Sequence, residues 1–143
     1  MLIGDLALTV AALFAGAAFY VNFAEQHARL ELDDHALLAE WKPAYKRGYA
    51  MQAPLAIIGF LLGAAAWWLS GRYAFLAGAI LMVANWPWTI LGVMPTNQVL
   101  YETRPEDAGP QSRLLIIKWN KLHAGRTLLG ALAVVAFLVA VRR

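Results

Sequence analysis

Charged residues divide this chain into four long uncharged stretches. They run for 19 positions from Leu6 to Ala24, 24 from Gly48 to Gly71, 29 from Tyr73 to Tyr101 and 15 from Thr127 to Val141. A hydrocarbon core about 30 Å thick is crossed by about 20 apolar residues in helical form, so the first three qualify outright. The fourth reaches that length when its helix starts near Leu114 and carries polar residues into the membrane interface. No stretch has the apolar-polar alternation of an outer-membrane barrel strand. The pattern predicts an all-α protein, an integral membrane up-down four-helix bundle. It forms a single domain over residues 1–143, with spans at 3–24, 49–70, 73–95 and 114–141.

The intervening residues set the expected turns. Between Glu25 and Arg47, the residues Leu30, Leu32, Leu37, Leu38 and Trp41 stand among charges, and Pro43 follows. This segment reads as an extension of the first helix, a turn near Asp33-Asp34, and a short helix leading into the second span. Glu102 to Ser112, with Pro105, Gly109 and Pro110, reads as a loop. Ser70-Gly71-Arg72 is a short turn. Pro87 lies inside the third span and is expected to kink it, and Pro95 is expected to end it, leaving Thr96 and Asn97 beyond. Gly59 and Gly63 form a small-xxx-small pair, and Ala12, Ala15 and Gly16 offer similar close approach, within one chain rather than between chains. Trp67, Trp68 and Tyr73 match an aromatic belt.

Composition agrees with this pattern. The chain is 61% hydrophobic and 15% charged, where globular domains are about half apolar and about a quarter charged. Its aromatics and low charge exclude a disordered chain. The net charge of +3 invites a nucleic-acid partner, but no stretch clusters basic residues with interleaved aromatics, so none is expected. Topology explains the excess better. Arg29, Lys42, Lys46, Arg47, Arg104, Arg113, Lys118, Lys121 and Arg126 lie in or beside the two long connections, and only Arg72, Arg142 and Arg143 on the other side. The positive-inside rule then puts the long connections in the cytoplasm, with the bundle in a bacterial inner membrane and the lipid bilayer as its partner. The absence of cysteine removes disulfides and thiolate chemistry. The first segment lacks a basic leader and exceeds the usual signal-peptide core, so a retained helix is expected.

Candidate chemistry lies in the residues that break the apolar pattern, because polar side chains in membrane helices are costly and tend to face the bundle interior. At about 100° per residue, Tyr45, Tyr49, Gln52, Ala56, Gly59 and Gly63 share one stripe of the second helix. Asn85, Thr89, Gly92 and Thr96 share one on the third, and Trp119, His123 and Arg126 lie within about 60° on the fourth. The first helix adds Phe19, Asn22 and Gln26. Lys118 and Lys121 point the other way. All four stripes fall at the same face of an up-down bundle, beneath the two long connections. The other half is Leu, Ala, Val and Gly. This asymmetry predicts a small pocket for a lipophilic or aromatic ligand, opening toward the long-connection side. Read as helix glue instead, the same groups would give a structural protein; a binding or transport protein would use the pocket without chemistry. No metal site is expected: His27, His35 and His123 lack metal-ligand spacing.

The order Trp41, Tyr45-Lys46-Arg47-Gly48, Pro95-Thr96-Asn97 with Leu100, then Trp119-Asn120-Lys121-Leu122-His123-Ala124-Gly125-Arg126, resembles the anthrone-oxygenase-like family. These are small four-helix membrane proteins grouped as a domain of unknown function. The resemblance covers essentially the whole chain. It implies that some members oxidise anthrones, tricyclic phenolic polyketides, to anthraquinones with molecular oxygen and no evident cofactor. It draws attention to Trp41, Tyr45, Asn97, Trp119, His123 and Arg126. An anthrone reacts with oxygen once it loses a proton to give an enolate. The residues then suggest His123 as base and Arg126 as stabiliser of the enolate oxygen, with Asn97 and Asn120 orienting the substrate and aromatic side chains lining a flat pocket.

Overall fold

A computed structural model describes residues 1–142, so Arg143, counted above among the basic residues of the far side, lies outside the described residues. Four helices are long and apolar enough to cross a membrane: α1 (Leu2–Leu30), α2 (Asp34–Ser70), α3 (Tyr73–Glu102) and α4 (Pro110–Arg142). Each packs against the helix before and after it, and α1 also packs against α4, which closes the ring of an up-down bundle.

The helix ends follow local chemistry. Asp33 caps α2, its carboxylate accepting from the Ala36 amide at 2.8 Å, the bond expected of an aspartate N-cap. Gly71 ends the same helix at φ 70°, its amide donating to the Trp67 carbonyl at 2.7 Å. A left-handed residue here is what glycine supplies without a Cβ clash. Ser112 and Gly109 bond reciprocally at 3.0 Å in the first turn of α4.

Two expectations about the helices need correction, and a third is met. The short helix before the second span is continuous with it, because α2 runs 37 residues through both Pro43 and Pro54. Pro95 does not end the third span: a π turn at Thr89–Val93 precedes it, and Pro95 sits in the first turn of the α-helical piece Met94–Glu102. A missing amide is harmless at that position. The effect of Pro87 falls at Ala84, where the regular helix is interrupted about one turn before the ring. Asn85 Nδ2 donates to the carbonyls of Leu81 at 3.3 Å and Met82 at 3.1 Å beside this break.

Packing divides the interior into two apolar clusters. The one remote from the connections is built on Ala7, Ala11, Phe14, Ala66, Phe75, Met82, Ala133 and Phe137. Gly59 and Gly63 do serve contacts within the chain: a Cβ on Gly63 would come within 2.7 Å of the Phe137 ring, and one on Gly59 within 2.7 Å of Met82. On α1 the close contacts come from Gly4, Ala7 and Ala11, and from Ala15, which lies against Gly130. Gly16 and Ala12 are exposed, one residue, about 100°, round the helix from that face.

The second cluster joins Leu37, Leu38 and Trp41 with Val93, Leu100, Ile116 and Trp119. Leucines that stand among charges in the sequence thus form the inner faces of helices prolonged past the apolar spans. This cluster fills the cross-section beneath the connections, and the polar stripes lie between it and the apolar half.

Candidate functional site

Between the two clusters the interior turns polar. Gln52 from α2, Asn85 and Thr89 from α3, and Trp119, His123 and Arg126 from α4 are all buried. They line two adjoining cavities. The first is a narrow cleft among α1, α2 and α4 with about 20 Å³ of free space, bordered by Glu25, Arg29, Tyr45, Tyr49, Gln52, Trp119, His123 and Arg126. The second, between α2 and α3, has about 130 Å³ of free space and is bordered by Ala53, Ala56, Asn85, Trp86, Thr89, Ile90 and Met94. Tyr49 and Arg126 border both, so they join a polar lobe to an apolar one. The first has room for about one water, the second for a small apolar group.

The two helices that carry a π turn present it here. Val21–Glu25 in α1 supplies Val21 and Glu25 to the polar lobe, and Thr89–Val93 in α3 supplies Thr89 and Ile90 to the apolar one. A π turn widens the helix and shifts the following side chains around the axis, and it recurs at functional sites. The apolar pattern gave no sign of either.

His123 and Arg126 set the chemistry. His123 is 4% exposed, its ring stacked on Trp119 at 4.9 Å, and its Nε2 has no hydrogen-bond partner among the described residues. Arg126 is also 4% exposed and meets no carboxylate among the described residues; its guanidinium lies 5.6 Å from the Phe14 ring centroid and its Nε is unpartnered. Phe14 offers a cation-π contact, which offsets part of the lost hydration. Gln52 Oε1, Asn85 Oδ1 and Trp119 Nε1 are unpartnered as well. Buried polar atoms almost always find partners, so five such atoms around one pair of cavities mark a surface suited to a polar ligand.

The residues singled out in the sequence separate into two groups. Tyr45, Tyr49, Gln52, Asn85, Thr89, Trp119, His123 and Arg126 line the cavities. Asn22 and Asn120 do not: Asn22 Nδ2 donates to the Asn120 side chain at 2.6 Å and its Oδ1 accepts from Thr127 at 2.5 Å, which ties α1 to α4. An orienting role for Asn120 therefore has no geometric support. Trp41 backs the polar lobe, stacked on Tyr45 at 5.2 Å and edge-on to Trp119 at 5.8 Å. Asn97 lies beside it, its Nδ2 and the Tyr45 hydroxyl both 3.9 Å from Met94 Sδ. Phe19 is exposed, and so are His27 and His35. Among the described residues no three His, Asp or Glu side chains lie close enough to hold a metal ion.

Arg29 was counted above only as a connection charge, and the structure gives it a place in the wall. Its side chain is 2% exposed, paired with Glu25 at 2.6 Å and Glu40 at 3.1 Å, and its guanidinium lies 5.6 Å from the Trp119 ring centroid. The signal was the i,i+4 spacing of Glu25 and Arg29 on a prolonged helix. Replacing Arg29 by Met strands two neighbouring carboxylates. Each keeps about a third of its surface, which puts the expected loss near the low end for a buried pair, about 3 kcal/mol. Thermal unfolding in detergent measures it, and Arg29→Lys should recover only part.

A four-helix membrane bundle with a polar-apolar cavity buried in its connection-side half is the class that fold and site define. Residues 41–136 match the family described as Anthrone oxygenase, and the chain belongs to it. The match begins at Trp41 and includes every cavity-lining residue of α2, α3 and α4. No curated protein and no solved structure matches the chain.

Proposed function

We propose that this protein oxidises a lipophilic, enolisable aromatic ketone of the anthrone type with molecular oxygen. One observation carries the reading: a buried arginine without a counter-ion borders the same cavity as a buried histidine whose Nε2 is free. The family membership supports the choice of substrate class.

His123 takes the proton from the methylene carbon opposite the ketone. The resulting enolate oxygen faces Arg126, whose fixed charge stabilises it in a site that needs no reorganisation. The enolate carbon then gives up an electron pair to dioxygen and forms a carbon-oxygen bond. His123 returns its proton to the peroxide anion, and the resulting hydroperoxide loses water, leaving the second carbonyl of the quinone. Dioxygen is the only oxidant and water the only co-product.

The bundle is proposed to sit in a bacterial inner membrane, with the long connections on the cytoplasmic side. Exposed Lys46, Arg47, Lys118 and Lys121 at that end support this orientation.

The test is stoichiometry with labelled oxygen. Purified protein supplied with anthrone and ¹⁸O₂ is expected to put one labelled atom into the quinone and the other into water, well above spontaneous autoxidation. Uptake no faster than in protein-free detergent would reject the reading.

A further inference from the structure

The apolar lobe between α2 and α3 is not needed by the chemistry at His123, and its construction is specific. The two helices pack most closely along Tyr73–Val83 and more sparsely beyond the break at Ala84, where Trp86 Nε1 still donates to the Ala53 carbonyl at 3.4 Å. The lobe is the space left between them there. Its walls are the small Ala53 and Ala56 on one side and Trp86, Thr89, Ile90 and Met94 on the other. Its rim holds Tyr49, 41% exposed, and Ile90, 55% exposed. The end beneath the connections is closed by the cluster around Leu38, Trp41 and Leu100. The lobe therefore opens sideways, at the level of the apolar spans, rather than toward the long connections as the polar stripes alone suggest.

Polar groups of Tyr49, Asn85, Thr89 and Arg126 border this otherwise apolar chamber. Asn85 is 1% exposed and lines the lobe, and its Nδ2 is turned back onto the Leu81 and Met82 carbonyls. Those two bonds fix the amide and leave Oδ1 as an unpartnered acceptor. Arg126, a donor, borders the same lobe from α4. A ligand satisfying both presents an oxygen acceptor to Arg126 and a hydroxyl donor to Asn85, with an apolar body between.

We propose that the lobe between α2 and α3 seats the apolar body of a ligand that enters from the bilayer, and that Asn85 Oδ1 selects a body carrying a hydroxyl. This deepens the oxygenase reading by naming the residue that sets substrate choice, and it rests on that reading for the ligand's ketone. A site built to hydrogen-bond a hydroxyl rejects the analogue lacking it, because its own polar group is then left buried and unpaired.

The experiment compares 3-hydroxyanthrone, whose hydroxyl lies on the far side of a ring from the ketone, with unsubstituted anthrone, binding to the detergent-purified full chain under argon, so that no turnover occurs. Wild-type protein is expected to bind the hydroxylated compound about 10- to 100-fold more tightly. Asn85→Leu is expected to abolish the preference while still binding anthrone. Equal affinities in the wild type, or a preference that survives in Asn85→Leu, would overturn the proposal. Asn85 also supports the backbone break, so a second variant guards against misfolding: Ile90→Trp, at an exposed rim position, is expected to weaken both compounds about tenfold by filling the opening. Unchanged binding there would overturn the lobe as the seat. Because binding is read without oxygen, a protein that binds with this preference but consumes no oxygen would refute the oxygenase reading and leave the selection by Asn85 standing.

Discussion

Arg126→Met is expected to lower oxygen uptake with anthrone by about 10²- to 10³-fold, the cost of losing one preorganised oxyanion donor, and at the same time to leave the melting temperature unchanged or raise it. The two effects have one cause. A guanidinium buried at 4% exposure without a carboxylate is held against its hydration energy, and the Phe14 contact offsets only part of that cost. Met fills a similar volume without a charge, and replacing buried charge by a packed apolar side chain is often stabilising. Initial rates and thermal unfolding of one purified sample measure both. A fall in stability comparable to that of Arg29→Met would mean that Arg126 is part of the scaffold.

His123→Ala is expected to reduce turnover by about 10²- to 10⁴-fold, the range for a positioned general base. The loss should appear in kcat more than in KM, because the histidine acts on the proton in flight while the cavity walls hold the ring system. Stacking on Trp119 fixes the imidazole plane, so His123→Gln, which keeps a polar group but not a base, should be as inactive as Ala. Added imidazole, small enough for the vacated volume, is expected to restore part of the rate to the Ala variant. Undiminished turnover in His123→Ala would eliminate the histidine as base.

The contrast between the two buried arginines was only half legible in the sequence. Arg126 stands on the same stripe as His123 and Trp119, and its lack of an acidic neighbour can be read from helical spacing. Arg29 stands in a segment rich in charge, where an arginine is ordinarily solvated. It becomes internal because α1 continues past its apolar span and because Glu40, eleven residues on across the Asp33 turn, folds back to meet it. The pairing of two segments across a turn is a tertiary fact. Asn22 and Asn120 show the reverse: both sit at the right level of the bundle, but they bond to each other between α1 and α4, and so leave the cavities to other residues.

What the sequence alone determined is the class, the number of helices and the end that carries the polar groups. Uncharged runs of spanning length permit no other satisfied backbone in a bilayer, and 3.6-residue periodicity puts Gln52, Asn85, His123 and Arg126 on inward faces. What only the tertiary structure decided is where that polar layer opens and which of its members share a cavity. Both depend on the break at Ala84, the two π turns and the apolar cluster beneath the connections, and each of these arises from how one helix is bent or prolonged against its neighbours. Such shifts are smaller than a helical turn, too fine for a periodic pattern to register, yet large enough to close the end of the bundle and loosen the packing of α2 on α3 at its side.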